Sequence, residues 1–396
     1  MRIACVIACS ILLAGCSKNG NSSLPLSADS ATSIAAAPST AALSMSFASP
    51  DERDYKNLFS FDGEPDGSLP AGGLTLVGDI FYGATILGGD SGISGDGDGV
   101  IFEMTTAGAF TLLHTFGNSP DGSRPNGNLV LVNGTLYGTT QEGGTATSSE
   151  GSYLPYGTIF AMSPSGSLSI LYSFKGGRGG AHPWHLTALN GTLYGTTFGG
   201  DDLVDKGTVF AVSGSEQVTV LHRFTGSDGA HPGAGLTVLN GTLYGTTSTG
   251  GANNSGTIFA MEPSGSVQVL HDFGTGNAGT SQADLTAFND KLYGTTYDDG
   301  NGDCLRASAP GTAFELSPSG HFRVLYTFQG SPDGYAPFGP LLVVNGRLYG
   351  TTLFGGKHSR VNQCGGGTVY QLKRSGDERV LYSFKGGADG AGPYGA

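Results

Sequence analysis

Histidine is unevenly placed in this chain. The segment His182-Pro183-Trp184-His185 holds two of the eight histidines and the only tryptophan. His231 stands at the matching place of a later segment, and Arg124 at that of an earlier one. Imidazoles bind metals, move protons near neutral pH and hydrogen-bond polar ligands. An indole ring offers a stacking face, and a guanidinium pairs with carboxylates. Arg124, His182, Trp184, His185 and His231 therefore read as a candidate ligand site, suited to a sugar or a carboxylated glycan. A three-histidine metal site is the competing chemistry, although zinc sites usually show tighter ligand spacing.

Carboxylates gather in other segments: Asp90, Asp96 and Asp98; Glu142 and Glu150; Asp201, Asp202 and Asp205; Asp298, Asp299 and Asp303. Asp299, Asn301 and Asp303 have the oxygen-ligand spacing that opens a calcium loop, but Cys304 and Pro310 stand where its Gly and Glu belong. Calcium is a candidate cation there, and no other cofactor is expected. Paired acids hydrolyse glycosides, yet no pair is singled out. GxSxG, HExxH and GxxxxGK[ST] motifs are missing.

The elements that position these groups follow from composition and repetition. Glycine accounts for 69 of 396 residues without a collagen period, which disfavours long helices. With 21 Phe and 16 Tyr the chain has the apolar content of a folded body. A formal charge of −13 argues against a nucleic-acid partner. LYGTT occurs at 136–140, 193–197, 243–247, 292–296 and 348–352, and FYGAT at 81–85 is a sixth copy. Each is followed by a Gly-rich stretch, a GTxF-like segment, an SPSG-like turn and a strand such as LSILYSF at 168–174. Asn133-Gly134 marks a tight hairpin, a better reading than the glycosylation sequon it also matches. Residues 129–174 thus read as four strands, and Ile170, Tyr172 and Phe174 alternate as a pleated strand requires. Six units of about 50 residues predict an all-β fold, a six-bladed β-propeller of four-stranded antiparallel blades over 55–396. Gly138 and its copies fit close approach of a backbone to the next blade.

The pattern resembles the GloVer tandem-repeat family, bacterial surface proteins carrying LYGTT/GTxF/LYxF units behind varied anchors. The resemblance spans about 55–396 and implies a secreted, anchored repeat protein; it carries over no catalytic residues. The anchor is read at the N-terminus. Arg2 and a 12-residue apolar run at 3–14 form a secretory signal too short to span a bilayer. Leu13-Ala14-Gly15-Cys16 resembles the lipobox of bacterial lipoproteins, which implies a signal peptide at 1–15 and lipidation at Cys16. Ser17 then favours the outer membrane or cell surface. Residues 16–54 read as the lipidated Cys and a Ser/Ala/Thr-rich tether of roughly 35 Å. In an oxidising compartment Cys304 and Cys364, in equivalent loops of neighbouring units, are expected to form a disulfide.

One copy is left over. Residues 55–61 repeat the fourth-strand motif ahead of the first unit, so that motif occurs seven times. Local pairing of 379–384 with 367–372 is expected to win. The extra copy then either swaps in or adds outside a blade.

Short Asn-Gly and SPSG turns should share one face. The long, variable loops after LYGTT and the DGxxP loops should share the other, the usual place for binding. His114, His222 and His271 replace Tyr172, Tyr326 and Tyr382 and read as packing variants. Two functions follow: a monomeric, surface-anchored binding module for a glycan or protein, or a polysaccharide-active hydrolase or lyase.

Overall fold

The computed structural model describes residues 55–70, 72–89, 97–117, 120–146, 156–199, 205–213, 217–274, 283–297, 311–358 and 365–393. The readings at Cys16 and the tether, at Asp299, Asn301 and Asp303, and at the Cys304–Cys364 pair lie outside them.

The molecule is a six-bladed β-propeller of four-stranded antiparallel sheets, and the described residues contain no α-helix. Blade three shows the plan. Pro183–Leu189, Thr192–Thr197, Thr208–Val212 and Val218–Arg223 pair in chain order from the axis outward. In blades one, two and six the innermost strand is broken into two pieces that pair with the same neighbour, as Ser68–Pro70 and Thr75–Val77 do with Ile80–Leu87.

The repeated motif has a physical reason at each letter. Asn190 and Gly191 both take positive φ, 51° and 78°, which a two-residue hairpin demands. The second Thr of LYGTT and the Thr of GTxF meet by their hydroxyls, Thr197 to Thr208 at 2.8 Å, and Thr208 N–H donates to Thr197 Oγ1 at 3.1 Å. The same buried pair recurs at Thr140–Thr158, Thr247–Thr257, Thr296–Thr312 and Thr352–Thr368. The Gly after Tyr differs from expectation. A Cβ on Gly195 would meet Phe210 Cζ at 2.5 Å. Phe210 is its partner on the adjacent strand of its own blade, so the glycine makes room for that ring and not for the next blade.

Five interfaces between successive blades repeat one packing scheme. Tyr194, Val209 and Phe224 of blade three cover Leu236, Leu243, Phe259 and Met261 of blade four. Near the axis, Thr187 Oγ1 donates to the Leu236 carbonyl, and Thr237 and Thr286 repeat this to Leu285 and Leu341.

Residues 379–384 do pair locally with Thr368–Leu372, as expected. The extra copy neither swaps in nor adds outside. Residues 55–61 pair with no strand among the described residues and sit between blades six and one. Phe59 stacks on Phe110 at 4.3 Å, Phe61 packs on Phe102, and Tyr55 stacks on Tyr382 at 4.3 Å.

Candidate functional site

Both hairpin turns of each blade fall at one end, so the LYGTT-following loops and the DGxxP loops share the opposite, top end. Where a unit carries the DGxxP aspartate, that side chain fastens the loop; the loop of blade three has Gly179 in its place, at the end of a short 3-10 turn. Asp228 accepts Thr225 N–H at 2.8 Å and bonds His222 Nε2 at 2.8 Å. Asp121 bonds His114 Nε2 at 3.0 Å, and Asp333 accepts the Tyr326 hydroxyl at 2.9 Å. His114 and His222 are thus more than packing variants: like Tyr326 they hold the loop. His271 instead stacks face to face on Phe322, with centroids 3.9 Å apart.

With or without that aspartate, the residue before each described loop proline lies in the left-handed region: Leu69, Arg124, His182, His231 and Ala336 have φ between 53° and 57°. Its N–H reaches back to the preceding blade, as from Arg124 to Asp98 O, His182 to Tyr156 O and His231 to Lys206 O at 2.8–2.9 Å.

Three of these residues form an arc over blades two to four. Arg124 Nη1 donates to Glu142 Oε1 at 2.9 Å, and His182 Nδ1–H to the neighbouring Gln141 carbonyl at 3.0 Å. The His182 carbonyl accepts Phe198 N–H at 3.1 Å, and the Phe198 ring lies over His231 with centroids 5.0 Å apart. His231 shares a 2.8 Å hydrogen bond with Thr249 Oγ1. Burial, then repulsion by Lys206, lowers the His231 pKa, so its ring is neutral near pH 7. Phe198 is 40% exposed, the aromatic face this rim presents. It directly follows LYGTT, a place where the other units carry Ile86, Gln141, Ser248, Tyr297 and Leu353.

Trp184 and His185 sit deeper, on the innermost strand of blade three. His185 Nδ1–H donates to Asp284 Oδ2 of blade five at 2.9 Å, reaching past blade four. Gly235 of blade four allows this: a Cβ there would meet His185 Cβ at 2.8 Å, and its N–H donates to Asp284 Oδ1 at 2.6 Å. The His185 ring also leans over Gly127 of blade two. Burial opposes charge on this imidazole, but the attraction of Asp284 and its hydrogen bond together raise the His185 pKa. Burial likewise opposes charge on Asp284, yet His185 and the Gly235 N–H hold that carboxyl below its usual range. Both shifts favour the ion-paired form. Trp184 is half-buried and edge-on to His185 at 6.1 Å; its Nε1 is buried without a partner among the described residues.

Structure therefore divides the five candidates into a rim set, Arg124, His182 and His231, and an axial set, Trp184 and His185. The three histidines are not brought together for a metal, and the described residues hold no cluster of three metal donors. Sequence reasoning missed Phe198 and Asp284. Aligning the units on the leucine that follows would have placed Asp284, before Leu285, level with His185, before Leu186.

The Gloeobacter/Verrucomicrobia repeat model matches residues 145–360, more than half of the chain. The chain belongs to that family. In this Gloeobacter/Verrucomicrobia repeat protein the matched span includes His182, Trp184, His185, Phe198, His231 and Asp284, while Arg124 lies before it. No curated protein matches it in sequence. Among solved structures it is similar to a streptogramin B lyase, with TM-score 0.54 and 15% identity over 84% of this chain and 87% of that one. It is also similar to a catalytically inactive variant of virginiamycin B lyase from Staphylococcus aureus with quinupristin. There the TM-score is 0.50 and identity 12%, over 81% and 85% of the two chains. At such identities the likeness is one of fold.

Proposed function

We propose that this propeller is an exported, lipid-anchored binding module that takes a glycan on the top rim of blades two to four. The carrying observation is the chain of contacts along this rim: an exposed Phe198 ring lies on the neutral His231 imidazole, the Phe198 N–H donates to the His182 carbonyl, and the half-exposed Arg124 guanidinium stands on blade two, paired with Glu142. A sugar stacks its C–H face on such a ring and hydrogen-bonds its hydroxyls to the flanks. Arg124 spends one N–H on Glu142, so its remaining donors suit a carboxylated sugar. Anchoring rests on the Cys16 lipobox, and palmitate labelling lost in Cys16→Ser checks it.

A glycan screen by thermal shift tests the rim, since a ligand that prefers the native state raises its Tm. The Phe198→Ala, His231→Ala double variant should lose the shift while Leu69→Ala keeps it. A ligand whose shift survives in the double variant refutes the rim reading.

A second reading, a polysaccharide lyase or hydrolase, is favoured by the His185–Asp284 pair beside Trp184. An imidazole that keeps its proton can donate it to a leaving group but is a poor general base at neutral pH. Turnover of a bound polysaccharide by the purified protein, abolished in His185→Gln, would replace the binding reading with this one.

A further inference from the structure

The six-to-one junction is built differently from the five others, and its details share one cause. Residues 55–61 have the side-chain register of a fourth strand. Phe59 and Phe61 meet edge-on at 5.0 Å, as Tyr172 and Phe174 do at 5.1 Å. Phe61 lies 5.2 Å from Phe102 of blade one, where Phe174 lies 5.3 Å from Phe210 and Phe224 5.2 Å from Phe259. A Cβ on Gly108 would strike the Leu58 carbonyl, as one on Gly265 would strike that of Leu221. On its other side, Tyr55 stacks on Tyr382 of blade six as Phe322 of blade five stacks on His271 of blade four. The segment is placed as the outer strand of a blade between six and one.

The other end of the chain prepares the same blade. Gly392 has φ 62°, in line with the five residues before the other described loop prolines, and its N–H donates to Gly366 O at 2.8 Å. Pro393 lies against Gly367 as Pro183 lies against Gly157. Pro393 thus stands where an innermost strand begins.

What the other interfaces place between these two ends is missing among the described residues. Val369 of blade six is 8% exposed, while its counterparts Ile101, Ile159, Val209, Ile258 and Ala313 are at 0%. Leu342, on the innermost strand of blade six, is 45% exposed, whereas its counterpart Val130 packs against blade three. The apolar faces of blades six and one form two separate small clusters, one around Phe384 and Tyr55, the other around Phe61 and Phe102.

We propose that this junction is an acceptor site for a seventh blade. Its occupant is a three-stranded antiparallel segment with the repeat's own pattern, entering from Pro393 and pairing its third strand with 55–61. The leucines of its first two strands and the aromatic of its third would cover Tyr349, Val369 and Phe384, and its outgoing Tyr and Ile would face Phe81 and Phe102. A second copy of this chain is a poor donor, because its own strands are already paired. Blade strands joined to an outer segment that takes part in no sheet among the described residues gain main-chain hydrogen bonds and apolar burial together.

The register defines the experiment. Pro393 and the three residues after it match Pro232 to Gly235, so a copy of residues 236–262 fused after Ala396 continues in phase. The fusion should raise Tm and slow amide exchange at 55–61 by about tenfold or more. A fusion carrying Asp in place of the copied Leu243 and Phe259 should do neither. The same peptide added free separates donation by another chain from entry at Pro393, and protection by either form supports the acceptor. Unchanged Tm and unprotected 55–61 with both forms overturn it. In the unfused protein, Leu342→Asn should leave Tm unchanged while Val130→Asn lowers it; equal losses also overturn the proposal.

Discussion

The interface between blades three and four and the junction between blades six and one use the same residue types to different effect. In the first, Tyr194, Val209 and Phe224 meet four buried residues of the next blade in one continuous cluster. In the second, Phe384 and Phe102 are each buried, but by a seven-residue segment wedged between them. A propeller interface therefore has two separable parts: an outer aromatic layer, which one strand can supply, and an inner aliphatic layer, which needs a whole blade. The difference predicts where stability resides.

The largest effect should come from the aromatic layer of a closed interface. Phe174→Ala leaves a cavity against Ile159 and Phe210 and should cost about 3–5 kcal/mol by denaturant unfolding. Phe61→Ala, its counterpart at the junction, should cost less than half as much, because no inner strands pack beside it. Equal losses would show that the junction is as tight as the rest.

The axis of the closed sector should be the next most sensitive. Asp284→Asn leaves the His185 imidazole without its counter-charge and should cost about 1–3 kcal/mol. The pH window follows from the shifts. The raised His185 pKa gives stability that is complete below its unfolded value near 6.5 and is lost as pH rises through the folded value. The lowered Asp284 pKa gives stability present above 3.8 and lost as pH falls through its folded value. The gap between wild type and Asp284→Asn should be widest near pH 5–6 and should narrow above it. A gap independent of pH would remove the ion pair from the account.

At the interface of blades five and six, where Glu378 faces Asp333 and Tyr326, the sign reverses. Burial and the nearby Asp333 push the Glu378 carboxyl up to about 8. Its protonated form is the folded one, so its contribution is complete below pH 4.5 and is lost as pH rises through about 8. Glu378→Gln should thus gain about 1–2 °C in Tm over wild type at pH 9 and nothing at pH 4, followed by thermal melts.

Much of the fold was legible because hairpin chemistry is local. Asn190-Gly191 and the paired threonines dictate strand boundaries within a few residues of themselves. The site was legible only in part. His185 and Asp284 are 99 residues apart and meet because two blades point them at one axis. Phe198 carried no signal of its own, because the residue after LYGTT differs in every unit. The Gly after Tyr was assigned to the wrong neighbour because a sequence shows that room is needed but not which ring fills it.

The left-handed residues before the loop prolines have a consequence for how such a protein diversifies. Leu, Arg, His and Ala all hold φ within 53–57° there, so the strain of about 1–2 kcal/mol belongs to the position and not to the side chain. These positions behave as interchangeable sockets around a single opening. Exchanging one non-glycine residue for another changes the side chain the rim presents without asking the backbone to change. The rim of such a molecule can vary combinatorially, at each of these five described sockets, at nearly constant stability.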